Sequence, residues 1–328
     1  MTDHNTSQLE NRKIDVVYTW VDDQFPGYLD ILNQYADTKH DLNPNRTRDN
    51  LELLKYSLRS LEKNLPWIRN VYLFTCRPQI PEWMNVNCEN LKILHHDEII
   101  DQSYLPTFSS HSIISNIHKL PGLSEHFLYV EDDMLFDNKI NYEDFYDKNG
   151  KIIFYPKNRF TCDASERNNA SESPWNLALA ECNHLLNQAF RTESRFVVNH
   201  VPLLINKKIW QEIEDKWPNQ FHQTRSSRFR AMHNIAVEYL YPQYMLYKKE
   251  GVLAPFSDTK KYALYHPLEN YRVWAWYGIW RINQIKPRFL ALNDNFDGNP
   301  NQSVVKIMQK FLENHFPKPS RFERDSSA

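Results

Sequence analysis

Two short apolar runs constrain this chain more than any other feature, because each one ends in acids. IDVVYTWV (14–21) runs into Asp22-Asp23, and FLYV (127–130) runs into Glu131-Asp132-Asp133. Both runs are short and rich in β-branched and aromatic residues, as buried strands are. In a sheet of parallel strands, ligands collect at the carboxyl ends, so the pattern predicts two acid clusters on one functional edge.

The segments between them alternate in type. Leu51, Leu54, Leu58, Leu61 and Leu65 fall at helical spacing behind the capping candidates Asp49 and Asn50, and Pro66 stops the run. VYLFTC (71–76) and LKILHH (91–96) read as strands, and Ser110 to Lys119 reads as a short helix before Pro121-Gly122. Strands alternating with helices predict a Rossmann-like, GT-A-like α/β fold with a mainly parallel sheet, a helical insertion and C-terminal helices. Ser173-Pro174 starts a helix reaching Phe190, and the polar stretch from Thr161 to Ser173 reads as a mobile loop. FVVNHVPLLI (196–205) reads as a strand with His200 inside it, Ile209 to Trp217 as helix, and 303–316 as a closing helix. The expected division is a disordered stretch at 1–12, a single catalytic domain over 13–316 with an insertion near 157–195, and a loose tail at 317–328.

Composition narrows the function. The chain has only 6 glycines and no Gly-rich phosphate loop, so side chains and a metal would have to hold any nucleotide phosphates. With 39 basic against 41 acidic side chains, net −2, and no basic cluster typical of a phosphate-backbone reader, nucleic acid is not an expected partner. Cys76, Cys88, Cys162 and Cys182 are scattered without a CxxC pair, which suggests reduced thiols. The polar start MTDHNTSQLENRK and the absence of a run of about 18 apolar residues predict a cytoplasmic protein. The aromatic stretch YRVWAWYGIW (271–280) is too short to span a bilayer and reads first as core. A sugar-stacking wall or a shallow membrane contact are the alternatives.

Four blocks, taken together, resemble the Stealth family of capsule hexose-1-phosphate transferases and N-acetylglucosamine-1-phosphotransferases. They are IDVVYTWVDD; DNLELLKYSLRSLEKNLPWIRNVYLFT through LPTFSSHSI to GLSEHFLYVEDDMLF; HVPLLINK with the helices after it; and LNDNFD with FPKPSRFE. The resemblance implies transfer of a sugar 1-phosphate from a nucleotide sugar, expected to be UDP-linked such as UDP-N-acetylglucosamine, to a glycan or lipid-linked glycan acceptor. UMP would be released and a phosphodiester formed in a surface polysaccharide. It also implies Mg²⁺ or Mn²⁺, and a peripheral association with the inner face of the membrane is compatible with it. Position by position it points to Asp133, His200, Arg230 and Asp294. Ile114 stands where relatives often carry an acid, and Glu131 where they carry Asn.

The chemistry suits those residue types. Mg²⁺ takes one or two carboxylates plus substrate phosphates, which assigns Asp133 and Asp294 to the metal. A base must accept the acceptor's hydroxyl proton near neutral pH, and His is the residue that most often does so, which assigns His200 alongside Asp133. Arg pairs with phosphoryl oxygens through parallel donors, which assigns Arg230. Asp22, Asp132, Asn293 and Asn295 are expected to bind substrate. Each has a structural counterpart: an Asp pair after a strand can be a plain turn, a strand His a core residue, LNDNFD an Asx-rich loop. Arg230 lies among Arg225, Arg228 and His233, a cluster that can be a solvated helix face or can grip acidic glycan phosphates. A glycosyltransferase releasing UDP and a sugar-binding protein without turnover are the competing functions.

Overall fold

The computed structural model describes residues 13–36, 49–296 and 300–324. The expected disordered stretch 1–12 and the last part of the expected tail, 325–328, lie outside the described residues. Among those described, the strands in chain order are β1 (Ile14–Trp20), β2 (Ile68–Thr75), β3 (Leu91–His95), β4 (His126–Glu131), β5 (Met134–Phe136) and β6 (Ile152–Phe154). They continue with β7 (Pro156–Phe160), β8 (Phe196–Val198), β9 (Leu203–Asn206), β10 (Gly251–Leu253), β11 (Ala263–Leu268) and β12 (Phe289–Asp294).

The main sheet runs β3-β2-β1-β4-β9. Its first four strands are parallel and β9 closes the β4 edge antiparallel. β1 sits in the middle because Ile14, Val16, Val17 and Tyr18 all lose their solvent contact there, as a central parallel strand requires. At its amino end the buried Asp15 carboxylate accepts from Arg69 and from the Ser124 backbone amide, which joins β1, β2 and the lead-in to β4. Thr19 of β1 is in register with Glu131 of β4, so both acid clusters emerge side by side at the carboxyl edge.

The turn after β4 decides where the site lies. Asp132 and Asp133 carry the chain into β5, which leaves the main sheet and pairs antiparallel with β12, itself parallel to β11. The other edge of β5 is closed by the Leu53–Asn64 helix. Ser57 Oγ donates to Met134 O (2.5 Å), Ser60 Oγ accepts from Phe136 N (2.9 Å), and Asn64 Nδ2 donates to Phe136 O (2.5 Å). Residues three, four and seven apart share one helix face, so three polar side chains replace a missing neighbour strand. Asp49 accepts from Leu53 N (2.7 Å), the first amide of the helix, while Glu52 holds the N-cap position.

Four expectations are corrected. FVVNHVPLLI is two strands in different sheets, β8 and β9, and His200 lies in the bend between them, released from the alternation a strand would impose. The segment Arg228 to Arg230 is not helical; Arg225, just before it, is buried on Glu214 and Ser115 instead of forming a solvated face. Residues 317–324 are not loose: Phe322 is buried, and Glu323 takes a bidentate contact from Arg59. The aromatic stretch is not core. It forms a helix, Arg272–Ile285, in which Ala275, Gly278, Ile279 and Ile282 take the packed face. A Cβ on Gly278 would stand 2.2 Å from His266 Nε2, so the backbone lies directly on that ring and the large side chains are turned outward.

Removing the edge donor should loosen the element that carries Asp133. Asn64→Ala leaves Phe136 O buried without its partner, and should lower unfolding free energy by about 1–3 kcal/mol. A urea titration matching that of the parent would refute the stitching role.

Candidate active site

Where the two sheets meet, the turn after β4, the bend after β8 and the end of β12 bring three side chains into contact. His200 Nε2 lies 2.9 and 3.0 Å from the two carboxylate oxygens of Asp133. Asn293 Nδ2 donates to Asp133 Oδ2 (3.2 Å), and Tyr265 Oη donates to Asn293 Oδ1 (3.1 Å). The His200 ring also meets Tyr265 edge to face at 5.9 Å, and Leu292 N donates to Asp133 O (2.9 Å). Asp133 is thus fixed through its backbone by β12 and through its carboxylate by an amide that is itself oriented.

Glu131 completes the group, with Oε2 4.0 Å from His200 Nε2. Within the described residues, Glu131, Asp133 and His200 each offer a ligand atom, all within 4.8 Å of one another. Glu131 is recessed among protein atoms yet keeps 35% of its side-chain surface accessible, so the group is reachable.

Charge in this corner is strained. Burial pushes the Glu131 carboxyl up to about 7 despite the opposing charge of His200. Burial, then repulsion from Asp133, Asp49 and Glu131, drives Asp132 well above the usual carboxylate range, and burial lifts Asp49 to about 7. Burial alone would lower His200, but the Asp133 and Glu131 carboxylates push it up to about 9. Against the burial penalty, His200 holds Asp133 below the ordinary value. The resting pair is therefore imidazolium and carboxylate. Four acids crowded so closely favour a cation, and two carboxylates beside an imidazole suit a divalent one such as Mg²⁺ or Mn²⁺.

The other predicted residues fall at varying distance from this group. Arg230 is half-buried and its guanidinium donates to Ser110 Oγ (3.1 and 2.6 Å); its charge reaches Glu131. Asp22 follows β1, with its backbone amide and carbonyl both bonded to the Gln79 side chain (2.8 and 2.9 Å). Asp294 is not in the converging group: Oδ2 accepts from Asn50 Nδ2 (2.8 Å) and Oδ1 from Phe296 N (3.0 Å), the second contact being the turn an Asx residue makes. Neighbouring strand residues face opposite ways, and Asn293 takes the side toward Asp133. Asn295 is exposed, with its backbone amide on Leu268 O (3.1 Å). Ile114 is buried in the core.

Glu131, which the resemblance marks only as a departure, joins the group, and its place next to Asp132-Asp133 is the signal for it in the sequence. Tyr265 and Lys157 also act on His200, the Lys157 ammonium lying 4.5 Å from the Tyr265 ring centre. Nothing local marks either residue.

The chain matches three family models: Stealth protein CR2, conserved region 2, over residues 46–154; CR3, conserved region 3, over 199–247; and CR4, conserved region 4, over 281–328. It is 33% identical over 321 residues to the exopolysaccharide phosphotransferase SCO6023 of Streptomyces coelicolor, covering 96% of this chain and 53% of that protein. It is 29% identical to the capsular polysaccharide phosphotransferase SacB of Neisseria meningitidis serogroup A, covering 96% and 57%. The chain therefore spans about half the length of the curated relatives it matches. Among solved structures, the glycosyltransferase GlyE of Streptococcus pneumoniae TIGR4 is similar at 12% identity and TM-score 0.42, covering 96% of this chain and 66% of that one. The galactosyltransferase LgtC is similar at 10% and 0.39, covering 92% and 96%.

If this corner holds a divalent ion, the purified chain should deplete the electron paramagnetic resonance signal of free Mn²⁺. Asp133→Ala should weaken that binding by more than tenfold and Asn293→Ala, which removes only the orienting amide, by roughly tenfold. Equal Mn²⁺ uptake by parent and Asp133→Ala would place the ion elsewhere.

Proposed function

Since the chain belongs to the Stealth family, we propose that it transfers a sugar 1-phosphate from a UDP-linked sugar to a hydroxyl of a glycan acceptor, building phosphodiesters into a capsular or other surface polysaccharide. The observation that carries this reading is the Asp133–His200 contact beside Glu131: a proton-accepting side chain and a group of hard oxygen ligands at one accessible point.

In the proposed reaction the acceptor oxygen attacks the phosphorus that bears the sugar. The bond from that phosphorus to the bridging oxygen breaks, UMP leaves, and the acceptor's proton passes to His200 Nδ1, the ring nitrogen that Asp133 does not hold. Asp133 and Glu131 would hold the divalent cation, while Asp294, turned to Asn50, stands apart from them. Bound there, the cation would supply positive charge to the diphosphate oxygens and neutralise the carboxylates that keep His200 protonated. General base catalysis works best when the imidazole pKa lies near the working pH. Asp133 then orients the ring, and Asn293 with Tyr265 orients Asp133. Arg230 is proposed to meet the transferring phosphoryl oxygens, its side chain steadied meanwhile by Ser110. Asp22, Asp132 and Asn295 are proposed to line the donor and acceptor.

Incubation with UDP sugars, Mg²⁺ and an oligosaccharide acceptor, followed by ³¹P NMR, should show a phosphodiester resonance and equimolar UMP. Appearance of UDP instead would establish glycosyl transfer. Binding of donor without turnover would establish a sugar-binding role. In the same assay His200→Ala should lower kcat by roughly 10²–10⁴-fold, the usual contribution of a positioned acid or base, with an unchanged circular dichroism spectrum. Parent-like turnover in that variant would remove His200 from the chemistry.

A further inference from the structure

The Arg272–Ile285 helix carries a surface that transfer chemistry does not use. Tyr271 ahead of it and Val273, Trp276, Tyr277 and Trp280 within it are 69%, 82%, 56%, 44% and 56% exposed. At helical spacing the last four fall within an arc of about 100°, and Arg272 and Arg281 flank that arc on opposite sides, each about 40° beyond its edge. The rings are ordered: Trp274 stacks on His266 (5.0 Å), Tyr277 lies 5.4 Å from Trp274 and 5.8 Å from Trp280, and Arg281 lies over Tyr277 at 5.8 Å.

The helix cannot roll to hide this face. Gly278 rests on His266, and Trp274 Nε1 donates to Pro267 O (2.6 Å), so the stripe is presented by two fixed contacts. From Asn270 to Asn293 the chain has no acidic residue and four basic ones, Arg272, Arg281, Lys286 and Arg288. Arg288 is turned inward onto Asp144 and Tyr262, whereas Lys286 at the end of the helix is exposed. In a chain of net charge −2, this is a local concentration of positive charge around an apolar strip.

The geometry points to this face as a docking surface for an anionic phospholipid membrane, with Val273, Trp276 and Trp280 entering the interfacial layer and Arg272 and Arg281 meeting lipid phosphates. Indole and phenol rings favour the headgroup boundary, and basic residues beside an apolar helical strip add attraction to acidic lipid. Two other occupants fit less well. A glycan is bound in concave sites with converging polar groups, whereas this is a convex helical ridge whose most exposed member, Val273, has neither a ring to stack nor a group to donate. A second copy of the chain would bring cationic flanks against cationic flanks. No helix among the described residues is long and apolar enough to cross a membrane, so the contact is one of lying on the surface.

The test is co-sedimentation of the purified chain with phosphatidylcholine vesicles, with and without phosphatidylglycerol, alongside tryptophan emission. The expected result is binding that needs phosphatidylglycerol, weakens with salt and shifts the emission to the blue. Trp276→Ser with Trp280→Ser should weaken the partition about tenfold or more, and Arg272→Glu with Arg281→Glu should remove the dependence on phosphatidylglycerol, while UMP release with a soluble acceptor stays at the parent level in both. Failure of the parent to bind acidic vesicles overturns the proposal, as does undiminished binding by the serine pair. A serine pair that raises KM for the oligosaccharide while leaving vesicle binding intact assigns the face to glycan. One that converts a dimer to a monomer without changing vesicle binding assigns it to self-association. Either outcome also overturns the proposal. None of these results bears on whether UMP or UDP is the product, so the two readings fail separately.

Discussion

An imidazolium held between the carboxylates of Asp133 and Glu131 sets the terms for the rest of this molecule. Two unit charges 4 Å apart near a protein surface interact by about 4 kcal/mol, and burial with mutual repulsion pushes Asp132 well above the usual carboxylate range and Asp49 to about 7, so both lean toward the neutral form. Left alone, such a corner would separate. It persists because every element bringing an acid in is tied from behind. β4 is parallel to the buried β1, β5 is closed by β12 on one side and by Ser57, Ser60 and Asn64 on the other, and the turn between them has no freedom to relax. The strain rests on hydrogen bonds several residues away from the charges.

That arrangement accounts for what could be read from the sequence and what could not. The strands showed themselves because burial on both faces demands unbroken apolar runs, and the acids showed themselves because nothing else in a strand exit looks like Glu131-Asp132-Asp133. Asp133 and His200 were named from a resemblance, and their contact depends on β12 and on the bend between β8 and β9, which no local pattern specifies. His200 looked like a strand residue because apolar residues surround it, whereas the chain changes sheet at that position. Ser57, Ser60 and Asn64 lie outside the leucine stripe that marks the helix in the sequence. They are buried, since the edge of a short strand needs donors and acceptors as much as a core needs hydrocarbon.

The aromatic helix shows the opposite error. A run with five large aromatic rings in ten residues suggests an interior, but the decisive residues in YRVWAWYGIW are the small ones, Ala275 and Gly278. They set which face approaches β11, and the close approach at His266 leaves no space for anything larger. A surface rich in Trp and Tyr therefore follows from the packing on the other side of the same helix.

These two regions are joined through β11. Tyr265 faces His200 and Asn293, while the next residue, His266, faces Gly278 and Trp274. Adjacent strand residues point to opposite faces, so one strand supports the candidate active site on one face and anchors the cationic aromatic helix with the other. If that helix lies against lipid, the strand fixes the reacting corner at a set height and orientation above the bilayer. An acceptor carried by the membrane would then meet His200 from a constant direction. A rigid connection of this kind needs no moving part, because the strand that orders the candidate catalytic side chains also orders the exposed aromatic surface.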